Sequence, residues 1–252
     1  MNKSLLDDYL KRLRLSTVAK NYERAAKEAD GHRVTYEEYL CALLEQEVQA
    51  RDDSRRKERL TRAKFPTLKT LEDFKFDEIP SLDKQSVLQL FKGKYIGALE
   101  NIVFVGPHGV GKTHLAIALG IQACQEGRQV RFFTAGDLLH QLTEAREERS
   151  VSKFQEKLAK VEVLILDELG MADCNPDEAK LLSQVINARY EKHSTIITTN
   201  LEFKDWTTVF CTQQLTSALL DRLTHRCNIV QVIGESYRFK ESVRRKKSKK
   251  AA

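Results

Sequence analysis

Residues 106–113 read Gly-Pro-His-Gly-Val-Gly-Lys-Thr, a complete G-x-x-x-x-G-K-[ST] phosphate-binding loop. An apolar strand candidate, 102–105, precedes the loop and an amphipathic helical pattern follows it, which is the setting that such a loop requires. Its glycines let the backbone turn and aim N–H groups at phosphate oxygens, beside the positive end of a helix dipole. Lys112 would reach the β- and γ-phosphates, and the Thr113 hydroxyl would ligate Mg²⁺. The predicted nucleotide contacts are Gly106, Pro107, His108, Gly109, Val110, Gly111, Lys112 and Thr113.

Two acidic residues, Asp167 and Glu168, end a second apolar strand candidate further along the chain. Parallel sheets place ligands at the carboxyl ends of their strands. Asp167 would hold Mg²⁺, directly or through water. Glu168 would take a proton from a water molecule that attacks the γ-phosphate. Hydrolysis, rather than phosphoryl transfer to a small molecule, is therefore the expected chemistry.

Four further polar residues are candidates for the same site. Asn200 ends the next strand candidate, where its amide would orient the attacking water; the alternative is a strand-end turn residue. Arg222 and Arg226 share one helix face, and an arginine from a neighbouring subunit would neutralise transition-state charge. The alternative for both is a surface ion pair. Arg238 follows the last strand candidate and would reach the nucleotide from its own chain.

The first part of the chain, residues 1–66, has the apolar spacing of a small all-helical domain. A capping box at Thr35-Tyr36-Glu37-Glu38 predicts the start of its longest helix. That helix becomes strongly basic over residues 51–64, which predicts an exposed, salt-bridged end or a surface for DNA or an acidic partner. Pro66 marks the expected domain boundary.

Residues 67–240 predict an α/β domain built on a parallel sheet flanked by helices, because strand and helix patterns alternate. Within it, residues 67–100 have the pattern of a linker and entry region. Residues 241–252 form a basic tail that we expect to be disordered; contact with nucleic acid phosphates is the alternative. Residues 235–252 carry 8 Lys and Arg against 2 Asp and Glu, within a net charge of +6 for the chain.

Composition narrows the class of protein further. The longest apolar runs are shorter than the ~20 residues of a membrane span, and the N-terminus lacks the apolar segment of a secretory signal. The five cysteines are widely spaced and include no C-x-x-C pair, which indicates neither a disulfide framework nor a zinc site. These features predict a cytoplasmic protein with no membrane partner.

Several motifs together resemble the AAA+ ATPases, and within them the IstB/DnaC group. The phosphate loop continues as His-Leu-Ala (114–116), and the acid strand reads Leu-Ile-Leu-Asp-Glu-Leu-Gly (164–170). The segment 63–74 and the helical N-terminal region are similar to the IstB type in particular. The remaining matches are Arg189-Tyr190-Glu191, Thr198-Thr199-Asn200-Leu201, Asp221-Arg222-Leu223 and Gly234-Glu235-Ser236-Tyr237-Arg238.

This resemblance implies an ATP-dependent, DNA-binding helper of an insertion-sequence transposon. Such a protein forms a homo-oligomer, as a ring or helical filament, on duplex DNA with little sequence preference, and recruits and stimulates its cognate transposase. Hydrolysis then drives disassembly. The implied cofactors are ATP and Mg²⁺, and residues 135–160 would face the DNA. The implied roles are phosphate binding for Lys112, Thr113 and His114, metal and base acids for Asp167 and Glu168, first sensor for Asn200, trans-acting finger for Arg222 and second sensor for Arg238.

Three other functions use the same phosphate loop. A DnaC-like replicative helicase loader would have the same ATPase residues, with residues 1–66 bound to a hexameric helicase. A nucleotide-gated DNA scaffold would not need a base such as Glu168. A small-molecule kinase fits the basic flanks and the two candidate arginines less well than an assembling ATPase does.

Overall fold

The computed structural model describes residues 3–32, 34–171 and 174–242. The chain divides into two compact units, Met1–Glu58 and Arg59–Ala252. This division precedes the boundary expected at Pro66, because Ala63 and Phe65 pack into the core of the second unit. Of the expected tail, residues 241–242 are helical, and the remainder lies outside the described residues.

Three helices, named α1 to α3, account for the N-terminal region. Leu10, Val18 and Leu43 form the centre of its small apolar core. The expected capping box is confirmed, since the Thr35 N–H donates to Glu38 at 2.9 Å and the Glu38 N–H donates to the Thr35 hydroxyl at 3.2 Å. The helices span Lys3–Arg12, Ser16–His32 and Tyr36–Ala63.

A five-stranded parallel sheet forms the centre of the second unit, in the order β2-β3-β4-β1-β5. The inner strands β3, β4 and β1 are buried along nearly their whole length, because helices cover both faces of the sheet. The predicted α/β class is therefore confirmed. The strands are Asn101–Val105, Val130–Thr134, Val163–Leu169, Ser194–Thr199 and Cys227–Gln231.

Helices α4 to α11 complete the part of the second unit that the structure describes. The helix after the phosphate loop, α6, packs with the entry region on one face of the sheet. Helices α7, α9 and α11 contribute to the apolar core on the other face. Among the described residues, every helix is too short or too polar to cross a membrane. The helices α4 to α11 are Lys84–Leu90, Lys94–Gly97, Lys112–Gln125, Ala135–Glu147, Val151–Ala159, Pro176–Arg189, Thr207–Phe210 and Gln213–His225.

The entry region 67–100 is more ordered than a linker. It contains a 3₁₀ turn at Phe76–Glu78 in addition to α4 and α5. Phe74 and Ile79 are buried in the same apolar core as α6. These two side chains therefore bring the entry region against the sheet domain, beside the phosphate loop.

A buried arginine, Arg189, links the segment before β3 to the start of β4 by hydrogen bonds. Its guanidinium donates to the carbonyls of Leu158, Val161 and Ser194 at 3.0, 2.9 and 2.8 Å. Only 2% of the residue is exposed, and burial lowers the pKa of Arg189 to about 10. Within the motif Arg189-Tyr190-Glu191, this arginine stabilises the fold and is not available to a nucleotide or to DNA.

Candidate functional site

A cavity of about 400 Å³ opens at the carboxyl ends of β1, β3 and β4. Such a volume is in the range of small-molecule and cofactor sites. Its walls come from the phosphate loop, the entry region, the ends of β3 and β4, and the segment after β5. The lining residues that the sequence singled out are His108, Gly109, Val110, Gly111, Lys112, Thr113, His114, Glu168, Asn200 and Arg238.

Two loop glycines, Gly106 and Gly111, cannot be replaced by larger residues, because their backbone angles favour glycine and a Cβ atom would collide with neighbouring atoms. Gly111 has φ +95°, and an added Cβ would lie 2.7 Å from the Phe74 ring. At Gly106 a Cβ would lie 2.0 Å from the Val232 carbonyl oxygen. Side chains at either position would strain the backbone and displace the neighbouring segments. The loop therefore keeps the close, glycine-dependent turn that phosphate binding needs.

Lys112 lies at the start of α6 and is largely buried, with 9% of the residue exposed. Its ammonium donates to the carbonyls of Gly106 and Pro107, both at 2.7 Å. Burial lowers the pKa of Lys112, while the Asp167 and Glu168 carboxylates oppose that shift. The ammonium is thus held inside the loop, where phosphate oxygens would replace the two carbonyls as its partners.

Thr113 lines the cavity, and Asp167 contacts Thr113 without lining the cavity itself. The Thr113 hydroxyl donates to Asp167 Oδ1 at 2.9 Å, although the two residues lie on α6 and β3. Hydroxyl and carboxylate oxygens suit Mg²⁺, which usually takes few protein ligands and completes its shell with phosphates and water. The donor set therefore fits the predicted metal, which these two side chains would hold.

Glu168 differs from Asp167 in its exposure. Asp167 is 4% exposed, whereas the Glu168 side chain is exposed and lines the cavity. Glu168 also has φ +59°, which is uncommon for a residue other than glycine. The two neighbouring acids consequently have different environments, one suited to a metal ligand and the other to a base that contacts water.

Asn200 lies just after β4 and lines the cavity. Its Oδ1 is buried and has no hydrogen-bond partner among the described residues. Buried acceptors are rarely left without a donor. A water molecule in the cavity would supply the missing donor, in agreement with the predicted role of orienting the attacking water.

The segment after β5 brings Arg238 to the cavity. The Tyr237 N–H donates to the Gly109 carbonyl at 3.0 Å, which joins this segment directly to the phosphate loop. Arg238 is exposed and lines the cavity beside it. The predicted contact from the same chain is therefore sterically available.

Arg222 and Arg226 lie outside the cavity. Both are exposed, Arg222 near the end of α11 and Arg226 at its C-cap, and neither lines the cavity. Arg222 instead borders a crevice with Arg189 and Tyr190. If either arginine acts on a nucleotide, it does so on that of another subunit.

The entry region supplies site residues that sequence reasoning did not assign. The His114 ring nitrogen Nε2 lies 2.7 Å from the Thr70 carbonyl, and the ring packs edge-on against Phe74. Burial lowers the pKa of His114, which disfavours a positive charge on its ring; its contact with the nucleotide stays a prediction. Phe74 and Ile79 of the entry region also line this wall. The other unassigned lining residues are Lys69, Asp73, Lys75, Glu78, Met171, Thr198, Thr199, Tyr237 and Glu241.

Comparison with known families agrees with this geometry. The model of the family described as IstB-like ATP binding protein matches residues 8–245. A protein of Pseudomonas aeruginosa, named for insertion sequence IS21 and for ATP binding, is 39% identical over 236 residues, which cover 94% of this chain and 89% of the relative. One of Bacillus thuringiensis subsp. berliner, named for insertion sequence IS232 and for ATP binding, is 36% identical over 232 residues, covering 92% and 93%.

A solved structure shares the fold of the second unit. AMPPCP-bound DnaA from Aquifex aeolicus superposes with a TM-score of 0.56 at 23% identity, covering 67% of this chain and 50% of that chain. The matched part therefore amounts to about half of the DnaA chain. At this level of identity the likeness establishes the AAA+ fold.

Proposed function

Because the chain belongs to the IstB-like ATP-binding protein family, we propose that it is an ATP-hydrolysing helper of an insertion-sequence transposase. It binds ATP and Mg²⁺, assembles on duplex DNA as a ring or filament, and recruits and stimulates the transposase. Hydrolysis disassembles the oligomer. The names of its relatives, which combine insertion sequences with ATP binding, support the biological setting.

One observation carries the proposed hydrolysis: the Thr113–Asp167 pair, the exposed Glu168 and the unpartnered Asn200 oxygen converge beside Lys112. Lys112 would neutralise the phosphate charge that grows in the transition state. Asn200 would accept a hydrogen bond from the attacking water, and Glu168 would take its proton. A metal held by Thr113 and Asp167 would polarise the phosphate.

The positions of the arginines support assembly. Within one chain, Arg238 borders the cavity, whereas Arg222 is exposed on α11 away from it. An arginine that reaches the neighbour's γ-phosphate would make ATP a bridge between subunits. Such a bridge stabilises the oligomer by mass action whenever ATP is present. Basic residues over 51–64 and in the C-terminal region supply positive charge for DNA phosphates.

The function is tested by the ATPase rate and particle size of the pure protein, with and without duplex DNA. We expect ATP and duplex DNA together to build large particles and to raise the hydrolysis rate. Binding should weaken steeply as salt rises, because phosphate contacts dominate it. If single-stranded DNA or a hexameric helicase provokes assembly instead, the helicase-loader function replaces this one. A transposase gene directly upstream would support the helper, and neighbouring replication genes would support the loader.

A subunit-mixing experiment tests whether Arg222 acts as an arginine finger on the nucleotide of a neighbouring subunit. We expect Arg222→Ala to lower DNA-stimulated hydrolysis by ~10³-fold or more, the usual contribution of an arginine finger. Mixing it with Glu168→Gln should restore part of the rate, because one subunit then supplies an intact cavity and its neighbour an intact Arg222. The measurement is the steady-state phosphate release of each variant alone and of the mixture.

Arg226→Ala is the matched control, since it removes the same charge four residues along the chain. A normal rate for Arg222→Ala with a low rate for Arg226→Ala would transfer the role to Arg226. Two low rates without recovery on mixing would contradict action between subunits.

A further inference from the structure

The pairing of β3 with β4 is irregular where the two acids lie. The register holds up to Leu166 and resumes at Leu169, so that Asp167 and Glu168 face the single β4 residue Thr198. This is a β-bulge, which interrupts side-chain alternation and redirects the side chains within it. The bulge therefore determines where the two acids point.

The hydroxyl of Thr198 contacts both acids. Its oxygen accepts the Glu168 backbone N–H at 3.0 Å, and its proton is donated to Asp167 Oδ1. A hydroxyl has a single proton, and the N–H group can only donate, so the direction of both bonds is determined. Thr198 is 1% exposed. One buried side chain thus links the carboxylate of Asp167 to the backbone of Glu168.

The bulge also needs support of its own. Glu168 has φ +59°, a left-handed conformation that is strained for a residue with a Cβ. Its N–H has left the regular ladder and is satisfied by Thr198. Loss of this bond would free the peptide to return toward ordinary strand geometry, which would turn the Glu168 side chain away from the cavity.

Thr113 cannot replace Thr198 in this role. Both hydroxyls donate to Asp167 Oδ1. Thr113 would hold Mg²⁺ in the proposed site, but only Thr198 also accepts the Glu168 backbone N–H. Thr198 is not one of the proposed metal ligands, and its hydroxyl is the one that links Asp167 to Glu168.

We propose that Thr198 is a positioning residue, whose hydroxyl sets the metal-binding carboxylate of Asp167 and the basic carboxylate of Glu168 in one fixed arrangement. The inference rests on the proposed function, because it assigns Thr198 to the Mg²⁺-dependent step at that site. It predicts that removal of the hydroxyl weakens Mg²⁺ binding and slows hydrolysis, whereas nucleotide binding without Mg²⁺ is unchanged.

The test compares Thr198→Val, which keeps the shape and removes the hydroxyl, with Thr198→Ser, which keeps the hydroxyl. The readouts are the affinity for a fluorescent ATP analogue with and without Mg²⁺, and the kcat and KM of hydrolysis. For Thr198→Val we expect unchanged affinity without Mg²⁺. We also expect a half-saturating Mg²⁺ concentration raised by ~10-fold and a kcat lowered by ~10- to 100-fold, as for other groups that orient metal ligands. Thr198→Ser should restore both to within about threefold.

Thr216→Val controls for the loss of a buried hydroxyl. Thr216 is 2% exposed, and its hydroxyl donates to the Thr212 carbonyl at 2.8 Å within one helical turn, away from the cavity. It should match Thr198→Val in thermal stability to within a few degrees and keep the wild-type Mg²⁺ dependence.

Wild-type Mg²⁺ dependence in Thr198→Val, or equal impairment in Thr198→Ser and Thr198→Val, would overturn the inference. So would nucleotide binding by the wild type that does not respond to Mg²⁺. If the wild type shows Mg²⁺-linked binding but no hydrolysis, the proposed ATPase function fails, and the Mg²⁺ dependence of Thr198→Val still decides the role of Thr198.

Discussion

Lys112→Ala is expected to lower ATP hydrolysis by at least ~10²- to 10³-fold and to abolish ATP-dependent binding to duplex DNA. Lys112 is the buried cation of the loop, with its ammonium 2.7 Å from two loop carbonyls. Alanine leaves those carbonyls facing the cavity and leaves the phosphate charge without its principal counter-charge. The measurements are single-turnover hydrolysis and fluorescence anisotropy of labelled duplex DNA, each with and without ATP.

Lys92→Ala is the control, because Lys92 is an exposed lysine of the same unit outside the cavity. It should behave as the wild type in both assays. Thermal unfolding without nucleotide should be similar in all three proteins, which would separate lost phosphate binding from lost folding. Nucleotide-dependent assembly that persists in Lys112→Ala would contradict the proposed link between ATP binding and oligomerisation.

Glu168→Gln is expected to separate binding from hydrolysis. The amide has the shape of the carboxylate but cannot take a proton, so we expect kcat to fall by ~10²- to 10⁴-fold. ATP affinity should stay within a few fold, because Glu168 is exposed and its backbone N–H bond to Thr198 is unaffected. Particles formed with ATP and DNA should therefore persist in the variant and decay in the wild type. Light scattering over time, with phosphate release measured in parallel, reports both effects.

Glu191→Gln is a closely matched control for this variant. Glu191 is also exposed and has φ +54°, close to the +59° of Glu168, but it lies outside the cavity. Any effect of placing glutamine in a left-handed conformation would appear in both variants. An unchanged rate in Glu168→Gln would show that another group accepts the proton, and particle decay at the wild-type rate would show that hydrolysis does not drive disassembly.

Lys112→Ala and Glu168→Gln are expected to fail in opposite ways. Lys112→Ala should not form the DNA complex, whereas Glu168→Gln should form it and fail to release it. The contrast follows from burial: Lys112 is enclosed by the loop that binds the nucleotide, and Glu168 is exposed at the cavity where water reacts. Equal failure of DNA binding in both variants would contradict the assignment of Glu168 to the hydrolytic step alone.

The sequence by itself determined the phosphate loop, the alternation of strands and helices, and the pair of acids at a strand end. These features are contiguous, so their residue order and periodicity specify them: the glycines, Lys112 and Thr113 occupy eight successive positions, 106–113. The strands were predictable because each contains a short run of apolar or β-branched residues between helical patterns. The family resemblance rested on these and on further short, contiguous motifs, among them the segment 63–74.

Only the tertiary structure decided how distant segments complete the site. The bulge at Asp167 and Glu168 depends on the register of β3 against β4, and no local pattern in either strand specifies a pairing. The His114 ring meets the Thr70 carbonyl because α6 and the entry region share one apolar core. The entry region itself looked like a linker because its helices are short and show little periodicity. Thr198 has the same chemistry as any strand threonine in the sequence, and it acquires its role because two strands bring one hydroxyl between two acids.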